Sequence, residues 1–190
     1  YKNGSPTYNK VIESVGKLRE AGIYVGAIQT TTRESLNYPK EIVETYYNLG
    51  FDSIFIRPLT PLGKATVNWN EIGYSPEEFL GFYNEALKTA IQLNENGSFF
   101  KEEHASILLK RIAGQFVNYM ELRSPCGAGI GQIAYYADGN IFTCDEGRML
   151  YEMGNKAFCL GNVMTSTYQS LINNSTCKAI CASSILETIP

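Results

Sequence analysis

Apolar residues at helical spacing alternate with short apolar runs through the first third of the chain. Ser5-Pro6 predicts a helix start, with Ser5 as N-cap and Pro6 at the first helical position, and Gly22 predicts the helix end. The run from Ile23 to Gln29 is continuous and β-prone, which is typical of a strand buried on both faces of a parallel sheet. The pattern therefore predicts a helix followed by a buried strand.

The same alternation continues downstream. A second helix is predicted from Pro39 to Leu49 and is closed by Gly50. The next strand is predicted from Ser53 to Ile56 and ends at Arg57-Pro58. This order of elements predicts right-handed crossovers and an α/β fold with two or so parallel strands.

The second half of the chain changes character. A loop is predicted over 58–75, a long helix from Pro76 to about Asn96, and a third helix from about Lys101 to Ile112. The composition then shifts towards Gly and Cys near 123–125. We therefore predict two domains, 1–122 and 123–190.

Composition narrows the classes of function. The 190 residues are 44% hydrophobic and can bury a substantial core. A net charge of −3 does not favour binding to nucleic acid or to an anionic membrane. No apolar run approaches the roughly 20 residues that a membrane span requires. Five cysteines without a secretory segment favour a reducing cytoplasm over a disulfide scaffold, and a single histidine gives little support to Ser-His catalysis.

Cys126 and Cys144 bracket the most informative segment. Between them, Gln132 to Ala137 and Asn140 to Thr143 are strand-like, and Asp138-Gly139 predicts the tight turn of a β-hairpin with positive φ. A hairpin brings its ends together, so the two thiols should approach each other. They are either a pair of soft ligands for an iron–sulfur cluster or zinc, or two isolated buried thiols.

A resemblance to a known family rests on this segment and on three others. The spacing CX12GX4C resembles the opening of a SPASM domain, the extension of radical S-adenosylmethionine (SAM) peptide-modifying enzymes. The runs KVIESVGKLREAGIYVGAIQTTTRESL and YYNLGFDSIFIRPLTPLGKA resemble the second half of a radical SAM barrel, and CDEGRMLYEMGNKAFCLGNV is similar to the same group. The same segments resemble maturases of the His-Xaa-Ser peptide system and, more distantly, anaerobic sulfatase-maturing enzymes.

The resemblance implies both a fold and a function. The fold would be the second half of a partial TIM-type (β/α) barrel, followed by a small α+β, cysteine-containing SPASM-like module with a β-hairpin. The whole protein would be a cytoplasmic oxidoreductase that cleaves SAM and uses the 5′-deoxyadenosyl radical to abstract hydrogen from a peptide or protein residue. It would bind SAM and 4Fe–4S clusters, and Cys126 and Cys144 would ligate part of an auxiliary cluster.

Candidate binding residues lie at the predicted strand ends, where chemistry gathers in parallel α/β proteins. Arg57 would either pair with a carboxylate of SAM or of the peptide, or form a structural salt bridge at the rim. Thr30 to Thr32 would contact ligand or bond to loop backbone. By resemblance, Leu59 would offer its backbone to the adenine of SAM.

The chain also departs from the family pattern. It has no CX3CX2C spacing for the SAM-binding cluster, and it begins at Tyr1. It ends at Pro190, where SPASM proteins would go on to a CX2CX5CX3C motif. We therefore expect a piece of a larger enzyme that by itself is inactive and binds no cofactor. Cys159 fits a buried apolar role, and a non-ligand role is also preferred for the pair Cys177 and Cys181.

Two further expectations follow. The alternative function is a non-enzymatic α/β binding or scaffold domain with a Cys-ligated structural zinc.

A barrel interrupted at the strand predicted from Ile23 to Gln29 would leave an edge unpaired, so self-association through that edge or through the apolar barrel face is expected.

Overall fold

The computed structural model describes residues 5–117, 119, 126–129 and 131–183. The helices are α1 (Tyr8–Glu20), α2 (Pro39–Asn48), α3 (Lys64–Val67), α4 (Trp69–Ile72), α5 (Pro76–Glu95), α6 (Glu103–Ile112), α7 (Asp145–Glu152), α8 (Tyr168–Ile172) and α9 (Ser175–Ala182), with a 3-10 helix at Glu34–Asn37. The strands are β1 (Ala27–Thr30), β2 (Ser53–Arg57), β3 (Lys101–Glu102), β4 (Ala134–Tyr135), β5 (Asn140–Phe142) and β6 (Cys159–Asn162).

The chain divides into two compact units. The first, here called the sheet unit, comprises Tyr1–Leu59 and Tyr74–Ser106. The second, here called the cysteine unit, comprises Thr60–Gly73 and Ile107–Pro190. The predicted domain division near residue 122 lies outside the described residues.

The sheet unit is built on a parallel sheet with the strand order β1-β2-β3. Ala27 pairs with Ile54 and Thr30 with Arg57, and Ile54 pairs on its other side with Glu102. The predicted parallel α/β arrangement is therefore confirmed. The third strand was not predicted, because its two residues precede a helical pattern without a break.

Helices cover one face of this sheet. Ala27, Ile54 and Ile56 are buried together with Val43 of α2 and Phe82 of α5. Ile28 points the other way and is 67% exposed. The prediction of a strand buried on both faces from Ile23 is therefore wrong, since β1 begins at Ala27 and only alternate residues meet the helices.

Two helices end next to the glycines that were predicted to end them. Gly22 and Gly50 have φ of 73° and 75° and follow α1 and α2. The start of α1 differs, because its N-cap is Thr7 and not Ser5. No residue of α1 is buried, so core packing does not fix its first turn.

Two other predicted segments need correction. The predicted loop over 58–75 contains the short helices α3 and α4. The third helix begins at Glu103 and not at Lys101, because Lys101 and Glu102 pair with β2.

A buried carboxylate extends the pairing of β2 with β3. Glu102 is 4% exposed. Its Oε1 accepts from the Ile56 amide at 3.1 Å, and its Oε2 accepts from the Ala105 amide at 2.6 Å and from the Tyr83 hydroxyl. The carboxylate thus takes the place of a main-chain acceptor where β3 ends, and it caps α6 at the same time.

The cysteine unit contains an antiparallel sheet with the order β4-β5-β6. The predicted hairpin is present, with shorter strands than expected. Gly139 has φ of 84°, and its amide donates to the Tyr136 carbonyl at 3.0 Å. Asp138 does not have positive φ, so the connection is a three-residue turn and not the Asp-Gly turn predicted.

Alkaline pH is expected to destabilise the sheet unit. Burial raises the pKa of Tyr46, Tyr74 and Tyr83 above the ordinary value of 10, and the Glu102 carboxylate adds to the rise for Tyr83. Each phenol is therefore more easily ionised in the unfolded state, so stability is full below pH 10 and falls as the pH rises beyond it. Urea denaturation between pH 8 and pH 11.5 measures this fall. It should become shallower in Tyr83→Phe, and an identical slope in that variant would contradict the prediction.

Candidate functional site

The carboxyl ends of β1 and β2 bring two of the predicted site residues together. Thr30 and Arg57 are direct Cα partners in the parallel register, and both side chains are exposed. They lie on the face opposite α2 and α5, since the residues next to them, Gln29 and Ile56, are buried. The Thr31 amide donates to the Arg57 carbonyl at 2.9 Å, which joins the two strand ends. A ligand at this edge would therefore meet both side chains.

Tyr74 joins the loops that leave the two strands. The Leu59 amide donates to the Tyr74 hydroxyl at 2.6 Å, and that hydroxyl donates to the Thr31 carbonyl at 3.1 Å. The Leu59 amide is thus engaged within the chain. An adenine contact at Leu59 remains a prediction, and it would have to use another backbone atom.

Thr31 and Thr32 form hydrogen bonds within the loop that follows β1. The Thr31 hydroxyl is fully buried and donates to Gln29 Oε1 at 3.0 Å. The Thr32 amide donates to the Ser35 hydroxyl at 3.1 Å. These bonds fix the turn that follows β1 and leave Thr30 as the exposed threonine next to Arg57.

An aromatic and cationic group continues along the same edge. The Arg57 guanidinium carbon lies 5.2 Å from the centre of the Phe55 ring. The His104 ring lies 5.8 Å from the same ring, edge to face, and 6.3 Å from that of Tyr83. His104 follows β3 by two residues, so it belongs to the third strand end. Sequence reasoning missed it because it missed β3.

In the cysteine unit, Cys144 is the N-cap of α7. Its sulfur accepts from the Gly147 amide at 3.3 Å. Burial raises the pKa of the Cys144 thiol, and the Gly147 amide opposes that rise. A metal ion bound to Cys144 would therefore stabilise its thiolate form, because the positive charge of the metal offsets the cost of burying the negative charge.

Cys126 lies on the segment that packs beside Cys144. The Gly129 amide donates to the Thr143 carbonyl at 2.8 Å, and Cys126 is exposed. Three residues of chain limit the separation of Cys126 and Gly129 to about 11 Å. The backbone thus allows the two thiols to approach, and their convergence on one cavity stays a prediction.

The remaining cysteines differ in burial. Cys177 is 1% exposed, its thiol donates to the Gly129 carbonyl at 3.5 Å, and burial raises its pKa. Cys159 lies in β6 as predicted for a short strand, and its thiol donates to the Gly161 carbonyl at 3.7 Å. Both side chains pack within the fold.

The donor chemistry suits part of a cluster site. Thiolates are the normal ligands of 4Fe–4S clusters, which take four. Across the described ranges, no three Cys, His, Asp or Glu side chains come together in a way that could hold a metal ion. Ligation of part of such a cluster by Cys126 and Cys144 therefore stays a prediction.

Comparisons by sequence gave no match. No protein-family profile matches the chain, and no curated protein is significantly similar to it. Among the described helices, none is both long enough and apolar enough to cross a membrane.

Solved structures do match. Native anSMEcpe with bound AdoMet superposes with a TM-score of 0.71 at 16% identity, covering 93% of this chain and 46% of that one. The form with AdoMet and the Kp18Cys peptide gives the same values, and the form with AdoMet and the Cp18Cys peptide has a TM-score of 0.72 at 17% identity. The chain thus spans less than half the length of these structures. Over 93% of its length, it has the fold of anSMEcpe, an anaerobic sulfatase-maturing enzyme of the radical SAM/SPASM group.

Proposed function

We propose that this chain is part of a radical SAM enzyme that modifies a residue of a peptide or protein. The observation that carries the proposal is the fold shared with anSMEcpe, whose structures hold AdoMet and a peptide. The described strands supply one parallel sheet with its carboxyl ends at a single edge, which suits a substrate-binding part of a barrel. Bound SAM would supply the 5′-deoxyadenosyl radical that abstracts hydrogen.

The sheet unit would position the reactants. Thr30 and Arg57 present a hydroxyl and a guanidinium side by side on the exposed face. A guanidinium binds a carboxylate with two parallel hydrogen bonds, which fixes orientation as well as charge. Tyr74 would hold the Leu59 backbone in place through its two hydrogen bonds.

The cysteine unit would hold part of an auxiliary 4Fe–4S cluster. Cys144 is fixed at the start of α7, and the Gly129 hydrogen bond to Thr143 holds the Cys126 segment nearby. The other ligands would come from elsewhere in the protein. Iron bound here would stabilise the Cys144 thiolate that burial alone disfavours.

Iron content tests this proposal. In the whole enzyme, purified and reconstituted without oxygen, Cys126→Ala or Cys144→Ala should remove about four iron atoms, since one 4Fe–4S cluster loses a ligand. The SAM-binding cluster and reductive cleavage of SAM should persist. Iron and sulfide analysis with electron paramagnetic resonance, in the presence and absence of SAM, measures both.

Cys159→Ala is the matched control, because its thiol bonds to a carbonyl in β6 and should leave the iron count unchanged. An unchanged count in the Cys126 and Cys144 variants would contradict the cluster assignment. Zinc without sulfide in the wild-type protein would instead support a structural zinc domain, which is the alternative function.

A further inference from the structure

The Tyr74 hydroxyl holds the main chain at the point where it leaves β2. It accepts from the Leu59 amide at 2.6 Å and donates to the Thr31 carbonyl at 3.1 Å. We propose that Tyr74 is a positioning residue for SAM, because it fixes the peptide group between Pro58 and Leu59 with the Pro58 carbonyl towards the ligand. This proposal rests on the proposed function, since it concerns SAM bound at the same edge of the sheet.

Tyr74 is itself held in place by its surroundings. It is 9% exposed, and its ring stacks on that of Phe79, with the ring centroids 6.0 Å apart. The next residue, Ser75, is the N-cap of α5, where it forms a capping box with Glu78. The hydroxyl is therefore fixed by a helix of 20 residues that packs on the sheet, and not by the loop that it contacts.

This one hydroxyl ties together the chain at two strand ends. The chain leaves the sheet unit after Leu59 and re-enters it at Tyr74, since residues 60–73 belong to the cysteine unit. The hydrogen bond between Leu59 and Tyr74 therefore joins the two points of exit and re-entry. The bond to Thr31 adds the loop that follows β1, and the Thr31 amide in turn donates to the Arg57 carbonyl at 2.9 Å.

These bonds determine where the Pro58 carbonyl points. A peptide group is planar and trans, so its carbonyl points away from its N–H. The Leu59 N–H is directed at the buried Tyr74, so the Pro58 carbonyl is directed away from that side chain. Pro58 is exposed, and none of the residues that the structure describes donates a hydrogen bond to its carbonyl. An acceptor of fixed direction therefore lies at the surface beside the strand ends.

The surroundings of this carbonyl favour the adenine of SAM over its amino-acid end. Both residues of the peptide group, Pro58 and Leu59, have apolar side chains. A charged ammonium here would exchange water for a neutral acceptor between apolar groups, which is costly. Adenine is flat and neutral, and its amino group donates the hydrogen bond that a carbonyl accepts. An acceptor that is already fixed lowers the cost of ordering the loop on binding.

A pair of ligands that differ at the purine amino group tests the inference. S-Adenosylhomocysteine carries that amino group, and S-inosylhomocysteine has a carbonyl in its place. We expect the whole enzyme, reconstituted without oxygen, to bind the adenosyl ligand at least about tenfold more tightly, because the other ligand leaves the Pro58 carbonyl without a donor. In Tyr74→Phe this preference should fall to about threefold or less, and S-adenosylhomocysteine should bind about fivefold more weakly. Isothermal titration calorimetry measures both.

Tyr47→Phe is the matched control. Tyr74→Phe keeps the ring and its packing and removes the hydroxyl alone. The Tyr47 hydroxyl bonds to that of Ser98 at 2.8 Å in the same unit, so Tyr47→Phe should change neither affinity nor preference. Amide exchange at Leu59 should accelerate in Tyr74→Phe and stay unchanged in the control. A general loss of stability would weaken both ligands equally, so a changed preference reports positioning.

An unchanged preference in Tyr74→Phe, or equal binding of the two ligands by the wild-type enzyme, would overturn the inference. If the wild-type enzyme bound no SAM, the proposed function would fail and the inference with it. Binding of SAM by the wild-type enzyme therefore separates a failure of the inference from a failure of the proposed function.

Discussion

Replacing Glu102 with Ala should lower the free energy of unfolding of the sheet unit by about 3 to 4 kcal/mol, because three donors lose their acceptor. The Ile56 and Ala105 amides and the Tyr83 hydroxyl all donate to this one carboxylate. Ile56 is fully buried, so its amide would have no route to bulk water in the native fold. Urea denaturation followed by circular dichroism measures the loss, and amide exchange at Ile56 should accelerate with it.

The adjacent Glu103 provides the matched control. Its carboxylate pairs with Lys101 near the surface and, within the described part of the chain, accepts from no buried amide. Glu103→Ala should therefore cost less than about 1 kcal/mol, as surface ion pairs do. If Glu102→Ala and Glu103→Ala have equal effects, or if Ile56 exchange does not change, the carboxylate does not have this structural role.

Local signals explain why much of the sheet unit could be predicted. Gly50 adopts positive φ after α2, and Ser75 with Glu78 forms a capping box at the start of α5. Such residues act within a few positions of the chain, so the sequence displays them directly. The alternation of helix and strand then implies the parallel pairing of β1 with β2.

Long-range contacts account for what could not be predicted. β3 has two residues and is defined only by its pairing with β2. Because β3 was missed, Glu102 and His104 were assigned to a helix and their contacts with Ile56 and Phe55 were not foreseen. Likewise, nothing near Leu59 in the sequence indicates that a tyrosine 15 residues away engages its amide.

In the candidate site too, some residues could be predicted from the sequence and others depend on long-range contacts. Thr30 and Arg57 were found because the carboxyl ends of parallel strands meet at one edge, a rule of topology. The Cys126 and Cys144 pair was predicted from its hairpin, and it stays a prediction. Gly129 was not singled out, because its importance depends on Cys177, which is 48 residues away.

Gly129→Ala should destabilise the cysteine unit by about 2 to 4 kcal/mol, the sum of a strained left-handed backbone and an overpacked contact. Gly129 has φ of +79°, and an added Cβ would lie 2.6 Å from the sulfur of buried Cys177. Gly154 is the control, because its φ is +93° and nothing lies within 4 Å of an added Cβ, so Gly154→Ala carries the backbone cost alone. Adding Cys177→Ala to Gly129→Ala should recover the part of the stability loss that comes from overpacking, as measured by urea denaturation.

If the Gly129 and Gly154 variants lose equal stability, the contact with Cys177 does not hold this segment. If they differ and Cys177→Ala restores the difference, that thiol sets how closely the segment carrying Cys126 packs beside Cys144.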